Sequence, residues 1–278
     1  MKLAIVAAMC IGMAAAAVPG WAAEANFERT LTVTGSVELN LATGSGTIHL
    51  TAGPDGRVHI MGHVKSSWGA NDDQVRAIAD HPPIEQTGNI VRVGAHMGPM
   101  HNISIDYEIE APAGAFLDAG TGSGDVSDDG VGINARLHTG SGKVHATGLR
   151  GSFTLETGSG SIYAEQVGDG DVKAQTGSGT IELRNLHGAL RAGTGSGGIK
   201  ATGTPTGPWR LHTGSGSVEL WTGSSALTLD ASTGSGSVHS DREIATQGTL
   251  GKHHVTGKIG GGGTEVHVET GSGNIRIH

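Results

Sequence analysis

Apolar and polar residues alternate along most of the chain, and the alternation recurs with a period of 18 to 20 residues. The tetrapeptide Thr-Gly-Ser-Gly marks each period. It begins at Thr43, Thr121, Thr139, Thr157, Thr176, Thr194, Thr213, Thr233 and Thr270. A repeat of this length and regularity is typical of architectures in which identical units stack on one another.

Three positions of each period are apolar, counted from the threonine of the tetrapeptide. Four residues before it stand Leu117, Ala135, Phe153, Val172, Leu190, Trp209, Leu229 and Val266. Two residues before it stand Ala119, Leu137, Leu155, Ala174, Ala192, Leu211, Ala231 and Val268. Five residues after it stand Ile48, Val126, Val144, Ile162, Ile181, Ile199, Val218, Val238 and Ile275. Because the residues between are mostly polar, each period contains two short strands with one buried face.

This pattern predicts an all-β fold, a single-stranded and right-handed β-solenoid (β-helix) with rungs of 18 to 20 residues. Gly-Ser-Gly forms the corner between the two strands, since glycine adopts positive φ without a Cβ penalty. The corner threonines are expected to form a ladder of hydroxyl groups. A third side is predicted from Val131, Leu149, Val167 and Leu186. A β-propeller is the competing repeat fold, but its blades need about 40–45 residues.

The end of the repeat array shows one irregular step. Thr233 and Thr270 lie 37 residues apart, close to two periods, which predicts a corner that has lost its tetrapeptide. The strand at 274–278 is predicted to be uncapped. Since open strand edges pair with other chains, this end favours an end-to-end oligomer.

The first part of the array is irregular as well. Residues 26–120 are interpreted as an irregular beginning of the same solenoid domain, which continues as regular repeats over 121–278; a separate N-terminal domain is the alternative. Alternation predicts strands at 57–64, 89–95 and 101–110. One helical face over 71–80, ended by Pro82 and Pro83, predicts a short helical insertion.

The first 25 residues have the features of a secretory signal peptide. Lys2 precedes an apolar run to Val18, and small residues follow, which predicts cleavage after Ala25 or Ala22. A membrane-spanning helix is the alternative, but the run is shorter than the ~20 residues that a span needs. The expected location is therefore the periplasm, the outer envelope or the medium. The mature chain would have no transmembrane segment and, because Cys10 is removed, no disulfide.

Composition excludes several classes of protein. A net charge of −8 argues against a nucleic-acid-binding surface, which needs a cationic stripe. A hydrophobic fraction of 36% is too high for a disordered linker. No cofactor is expected, because the glycine-rich segment 193–198 precedes a strand, whereas a dinucleotide site needs a helix there.

Two sets of residues are candidates for chemistry. A polysaccharide lyase or hydrolase would need a carboxylate pair, for which the candidates are Asp128, Asp129, Asp169 and Asp171. Their simpler interpretation is solvated acidic turns. A copper-binding periplasmic protein would use thioether and imidazole ligands, for which the candidates are His96, Met97, Met100 and His101.

One outward column of the predicted rod could contact a partner. Six residues after the threonine stand Tyr163, Glu182, Lys200, Glu219 and His239. We interpret this column as a solvated strand surface, with a partner-binding strip as the alternative.

Three features together carry a resemblance to known proteins. They are the start Phe27-Glu28-Arg29-Thr30-Leu31, the central segments 83–89, 105–107 and 111–114, and the Thr-Gly-Ser-Gly ladder. The chain resembles the bacterial domain-of-unknown-function families of β-strand-repeat adhesins, including the GIN-type head domain. The resemblance implies an exported β-solenoid without established catalytic residues. We therefore expect a non-catalytic, adhesin-like binding or structural module, with envelope polysaccharide or another envelope protein as partner.

Overall fold

The structure is a computed structural model that describes residues 23–66, 72–94, 102–245 and 251–278. Within these ranges the chain forms 23 strands and one helix, and hydrogen bonds join all the strands into one long sheet. The prediction of an all-β protein is confirmed. The sheet folds into a solenoid-like stack of rungs.

The strands fall into three groups along the chain. The N-terminal group is β1 (Glu24–Thr32), β2 (Glu38–Ser45), β3 (Ile48–Gly53), β4 (Arg57–Ser66), α1 (Asp72–Asp80), β5 (Ile84–Thr87), β6 (Ile90–Val93) and β7 (Ile103–Pro112). The middle group is β8 (Phe116–Ser123), β9 (Val126–Asp129), β10 (Asn134–Ser141), β11 (Val144–Leu149), β12 (Ser152–Ser159), β13 (Ile162–Gln166), β14 (Val172–Ser178), β15 (Ile181–Ser196), β16 (Ile199–Ser215) and β17 (Val218–Trp221). The C-terminal group is β18 (Leu227–Ser235), β19 (Val238–Ser240), β20 (Ile244–Ala245), β21 (His254–Ile259), β22 (Thr264–Ser272) and β23 (Ile275–Ile277).

Successive repeats of the middle group pair in parallel, with equivalent residues side by side. Thr139 lies between Thr121 and Thr157, and Leu137 lies between Ala119 and Leu155. All residues of the first two predicted columns are buried, and so are those of the third column except the half-buried Val238. The predicted ladder of apolar residues is therefore the core. Parallel pairing of neighbouring repeats differs from the antiparallel blades of a propeller.

The corners are held by a hydrogen bond that differs from the predicted hydroxyl ladder. Each corner threonine of the middle group donates to the carbonyl of a corner glycine in the neighbouring rung, as Thr139 Oγ1 does to Gly124 O at 2.8 Å. The glycine itself is required by sterics, because Gly179 has φ +141° and a Cβ there would lie 2.1 Å from Gly160 O. The close approach of rungs at the corner thus explains both the threonine and the glycine.

The third side matches the prediction at three of its four positions. Leu149 and its equivalents Val131 and Leu186 are buried, whereas Val167 is 58% exposed. Gln166 occupies the inward place instead, because a register shift pairs it with Leu149. Its side chain is satisfied there by backbone partners, donating to Gly170 O and accepting from His187 N–H.

The N-terminal end departs from chain order. The rung of β2 and β3 lies between the rung of β6 and β7 and the rung of β8 and β9, so the first rung in sequence is the second in space. Antiparallel strands then close the end: β4 pairs with β7, β1 with β4, and β5 with β6. Helix α1 confirms the predicted helical insertion and packs on β1 and β4.

The C-terminal end shows the reciprocal exchange, and two predictions are wrong there. The described part of the 37-residue step, which leaves out residues 246–250, contains no further corner: β21 runs antiparallel to β18, and the chain then returns to place β22 between β16 and β18. Likewise, β23 lies between β17 and β19 and is not an uncapped edge. Both predictions assumed that rungs stack in chain order. A rung that has the corner tetrapeptide and the three apolar column residues can stack on any other such rung, whatever its place in the sequence.

The start of β1 bears on the predicted cleavage. Ala25 already pairs with Val64, and the backbone of Ala23 exchanges hydrogen bonds with Ser66. Cleavage after Ala22 would leave this strand whole, whereas cleavage after Ala25 would shorten it. In the part of the chain that is described, no helix combines the length and apolar character that a membrane span requires.

Candidate ligand-binding surface

The stacking of rungs places equivalent residues of neighbouring rungs side by side, and this holds for the outward side chains as well as for those of the core. Side chains alternate along a strand, so the residue next to each core position points to solvent. Neighbouring rungs lie about 4.8 Å apart, and each outward position therefore forms a column of side chains at that interval. Two faces result: the first on the strands that lead into the corners, the second on the strands that leave them.

Basic side chains form a column on the first face, three residues before each corner threonine. We call this the cationic column, and its members in spatial order are Arg136, Thr154, Lys173, Arg191, Arg210 and His267. Asp118 and Asp230 lie at its two ends.

Part of the cationic column is neutralised within the protein. Glu156 accepts from Lys173 Nζ at 2.7 Å and from Arg136 Nη2 at 3.1 Å. The hydrogen bond from Lys173 is the main reason that the pKa of Glu156 lies below its usual range. Arg191 and Arg210, by contrast, have no ion-pair partner in the described ranges.

The side chains of the predicted outward column on the second face make stacking contacts and ion pairs with neighbouring side chains of the same face. Tyr163 stacks on His145 with ring centroids 4.7 Å apart, and the Arg184 guanidinium lies 5.3 Å from the Tyr163 ring. Arg184 also donates to Glu182, and Lys200 lies 3.7 Å from Glu219. These contacts favour the solvated strand surface over a partner-binding strip.

The structure separates the four candidate carboxylates. Asp128 points inward, in the core column that Leu50 and Ala146 share, and is 1% exposed. Asp129, its neighbour, is exposed and accepts from Thr147 Oγ1. Asp169 and Asp171 are exposed in the connection between β13 and β14, at least two rungs or about 10 Å further along the stack. The sequence interpretation of solvated turns therefore fits three of the four residues but not Asp128.

Asp128 has a structural explanation and an unusual pKa. Its Oδ1 accepts from the Val131 N–H at 2.9 Å, which holds the turn after β9, while its Oδ2 is buried without a partner. Burial raises the pKa of Asp128 to about 7, and the hydrogen bond from Val131 only partly opposes this rise. Asp128 is thus a buried carboxyl group that titrates near neutral pH.

The candidate copper ligands cannot be placed. His96, Met97, Met100 and His101 lie outside the described residues. Over the described ranges, no three histidine, cysteine or acidic side chains come together in a way that could hold a metal ion.

Histidine–carboxylate contacts concentrate where the C-terminal strands meet. Asp230 contacts His254 at 2.9 Å and His267 at 3.1 Å. Burial would raise the pKa of Asp230, but the hydrogen bonds from the two histidines outweigh it and hold the pKa below its usual range. These contacts join β18 to the antiparallel strand β21 and to β22.

The fold defines an all-β repeat protein with solenoid-like stacking, and the comparisons with known proteins place it in a family. Residues 96–278, about two thirds of the chain, match the family model Toastrack DUF4097. The chain belongs to the Toastrack family. No curated protein sequence matches it.

Solved structures with a similar arrangement are distant. A putative adhesin from Bacteroides fragilis is 14% identical, with 91% of this chain and 97% of that one covered and a TM-score of 0.41. A putative cell adhesion protein from Clostridium sporogenes is 14% identical, with coverage of 91% and 99% and a TM-score of 0.32. A putative lipid binding protein from Parabacteroides distasonis is 12% identical, with coverage of 91% and 96% and a TM-score of 0.36.

Sequence reasoning missed both Asp128 as a core residue and the cationic column. The signal for each was available in the same alignment on the corner threonine. The position seven residues after it is apolar in Leu50, Ala146 and Leu183, which marks Asp128 as inward. The position three residues before it is basic in four repeats.

Proposed function

We propose that this protein is exported and acts in the envelope, or outside the cell, as a non-catalytic binding module. The observation that carries the proposal is the alignment of outward side chains into columns one rung apart. A surface that repeats its chemical groups at a fixed interval suits a ligand that also repeats, such as an envelope polysaccharide. The core beneath is continuous, so the two faces hold their columns rigidly.

The proposal includes a finer description of the fold. We propose that the chain from β8 to β17 forms a single-stranded, right-handed β-helix, because parallel crossover connections are right-handed in nearly all known sheets. Parallel pairing between consecutive repeats supports the coil.

A non-enzymatic role is supported by the separation of the candidate carboxylates. General acid–base cleavage of a glycosidic bond needs two carboxyl groups within roughly 5–10 Å on either side of one bond. Asp128 points into the core while Asp169 and Asp171 lie on the surface further along. No contact among the described residues favours the glycan-cleaving or the copper-binding alternative.

Two measurements on the full chain test the proposal. Fractionation of cells that express the full chain, followed by determination of the N-terminal residue of the processed protein, should find it outside the cytoplasm and beginning at Ala23. The purified processed protein should then co-sediment with the insoluble polysaccharide fraction of the envelope and release no reducing sugar from it. Cytoplasmic retention, or failure to bind any envelope fraction, would contradict the proposal.

A further inference from the structure

We propose that the cationic column is the binding site of an acidic polysaccharide, held chiefly through Arg191 and Arg210. Neither arginine has an ion-pair partner in the described ranges, whereas Lys173, on the next rung, is ion-paired with Glu156. The inference rests on the proposed function and deepens it by naming the ligand class and the residues. These three residues are register partners on three consecutive rungs, since Lys173 pairs with Arg191 and Arg191 with Arg210. Their backbones are therefore about 4.8 Å apart.

Like charges directly opposite each other on neighbouring strands are destabilising. On the second face the corresponding position of Lys200 shows the opposite arrangement, since Lys200 faces Glu219 on one side and Glu182 on the other. Arg191 and Arg210 face each other with no carboxylate between them and no ion-pair partner among the described residues. An anionic ligand would relieve this repulsion and satisfy both guanidinium groups.

The column borders a groove that can receive a chain. The groove has a volume of about 500 Å³ and is open along the stack. Its lining includes all three basic residues together with the polar side chains of Ser152 and Thr154. The lining also contains the exposed carboxylate of Asp171, which immediately precedes β14 and whose Oδ1 accepts from the Ala189 N–H at 2.9 Å; it is the one acidic residue of the lining, against three basic residues.

Space beside the two arginines is provided by a glycine. Gly193 lies two residues after Arg191 on the same outward face, and a Cβ built there would meet only the His212 carbonyl oxygen, at 4.0 Å. The glycine is therefore not needed for packing. A side chain introduced at this position would lie on the same outward face as Arg191.

The surroundings of the column favour carbohydrate over other polyanions. Three basic residues on a protein of net charge −8 do not form the broad cationic surface that nucleic acids need. Of the apolar residues at the groove, Phe153, Val172 and Leu190 are core residues, which leaves the half-buried Ala189 and the exposed Pro208, and neither is a large apolar anchor for a membrane. The hydroxyl groups of Ser152 and Thr154, on the rung next to Lys173, suit the hydroxyl groups of sugars. A uronic-acid chain has a carboxylate on every sugar, so one chain can offer carboxylates to both arginines.

The test uses polygalacturonate as the probe and isothermal titration calorimetry as the measurement. The wild-type protein should bind polygalacturonate at about 20 mM NaCl and lose most of this affinity at about 0.5 M NaCl, since salt screens exposed charges. Fully methyl-esterified polygalacturonate, which lacks the charge but keeps the sugar, should bind at least about tenfold more weakly. Equal affinity for the esterified chain would overturn the proposal.

The variants separate the groove from the rest of the surface. The double variant Arg191→Gln/Arg210→Gln should lose about tenfold or more in affinity, because each hydrogen bond between charged groups contributes substantially. Arg184→Gln, which removes an arginine already paired with Glu182 on the other face, should change affinity by less than about twofold. Unchanged binding by the double variant would overturn the assignment to the groove.

A second pair of variants tests the groove without removing its arginines. Gly193→Glu places a carboxylate beside Arg191 and should weaken binding as strongly as the double variant does. Gly193→Gln introduces a side chain of nearly the same size as glutamate but without its charge. This variant should bind polygalacturonate like the wild type, and it also shows whether the fold tolerates a side chain at position 193. Equal effects of the two variants would overturn the electrostatic argument.

The outcomes distinguish this inference from the proposed function. If the wild type binds envelope polysaccharide but not polygalacturonate, the inference fails and the proposed function stands. If it binds neither, both fail. Tighter binding of double-stranded DNA or of phosphatidylglycerol vesicles than of polygalacturonate would overturn the choice of carbohydrate.

Discussion

From β8 to β17 the rungs stack in the order in which they occur in the chain, and each corner from Thr139 to Thr213 contacts the corner 18 to 19 residues before it. At both ends this order is exchanged. The first rung is second in space, the last rung is second from the end, and antiparallel strands cover the outermost rungs.

The difference shows what the repeat itself specifies. A corner threonine, two glycines and three apolar columns make every rung compatible with every other, so they specify stacking but not the order of stacking. Order in the middle follows from the short connections between consecutive rungs, because short loops keep neighbours in sequence adjacent in space. At the ends, longer segments allow a distant rung to insert, and the antiparallel strands then cover edges that could otherwise pair with another chain.

The largest effect is expected at a corner of the middle region. Gly179→Ala should destabilise the protein by about 4–6 kcal/mol, because alanine is strained at φ +141° and its Cβ would lie 2.1 Å from Gly160 O. Urea denaturation monitored by circular dichroism measures the change.

The matched control is a glycine of the next rung that does not form a corner. Gly193→Ala should change the free energy of unfolding by less than about 1 kcal/mol, since Gly193 has open space and is not at positive φ. Similar losses in the two variants would show that corner geometry does not decide the stacking.

A smaller effect is expected where the N-terminal end joins the middle, at Asp128. The pKa of this carboxyl group is about 7 in the folded protein and near 3.8 when unfolded, so the folded state holds the proton more tightly. Stability should therefore fall by about 3–4 kcal/mol between about pH 4 and pH 8 through this group alone. Urea denaturation over this range should show the slope in the wild type and its loss in Asp128→Asn.

Asp129→Asn is the matched control for this titration. Asp129 is exposed and stands next in sequence, and its charge is the smallest of the causes that shift the pKa of Asp128, so its replacement should retain most of the pH dependence. If Asp129→Asn abolishes the slope or Asp128→Asn retains it, Asp128 is not the titrating group.

The sequence predicts those features of the fold that repeat and misses those that occur once. The columns of Ile181 and Leu190, the glycine corners and the α1 insertion follow from local patterns, and all are present. The exchange at Thr233 and Thr270 could not be predicted, because both corners have the full set of column residues. Gln166 displaces Val167 through a local register shift, which apolar periodicity does not encode.

The candidate site was less predictable than the fold for a physical reason. A buried ladder requires apolar residues in every rung, whereas an outward column tolerates any polar residue. The basic residues therefore stand out only after the rungs are aligned and their partners known. Arg136 and Lys173 share the single carboxylate of Glu156, whereas Arg191 and Arg210 have no ion-pair partner among the described residues, and this difference distinguishes the groove.

The smallest effect is expected at the C-terminal end, at Asp230. Replacing it with asparagine removes two histidine contacts that join β18 to β21 and β22, a change of less than about 1 kcal/mol for exposed pairs. Hydrogen exchange at pH 7 should quicken in β21 while the amides of β14 remain protected. Since the pKa of Asp230 is lowered by its partners, the contribution is present above about pH 4 and is lost as the pH falls further. If the amides of β14 and β21 exchange at equal rates in the variant, the C-terminal end does not open independently of the middle region.

Disulfide trapping tests the exchanged order of rungs most directly. In a chain with Cys10→Ser, the pair His212→Cys/Glu269→Cys joins residues that are register partners, so their Cα atoms lie about 4.8 Å apart, within disulfide range. Glu269 lies between His212 and Ser232, because Ser232 is its register partner on the other neighbouring strand. The pair His212→Cys/Ser232→Cys therefore spans two rungs, about 10 Å. Peptide mapping after oxidation should find a disulfide in the first pair and free thiols in the second. A disulfide in the second pair with free thiols in the first would show that the rungs stack in chain order and would contradict the exchange.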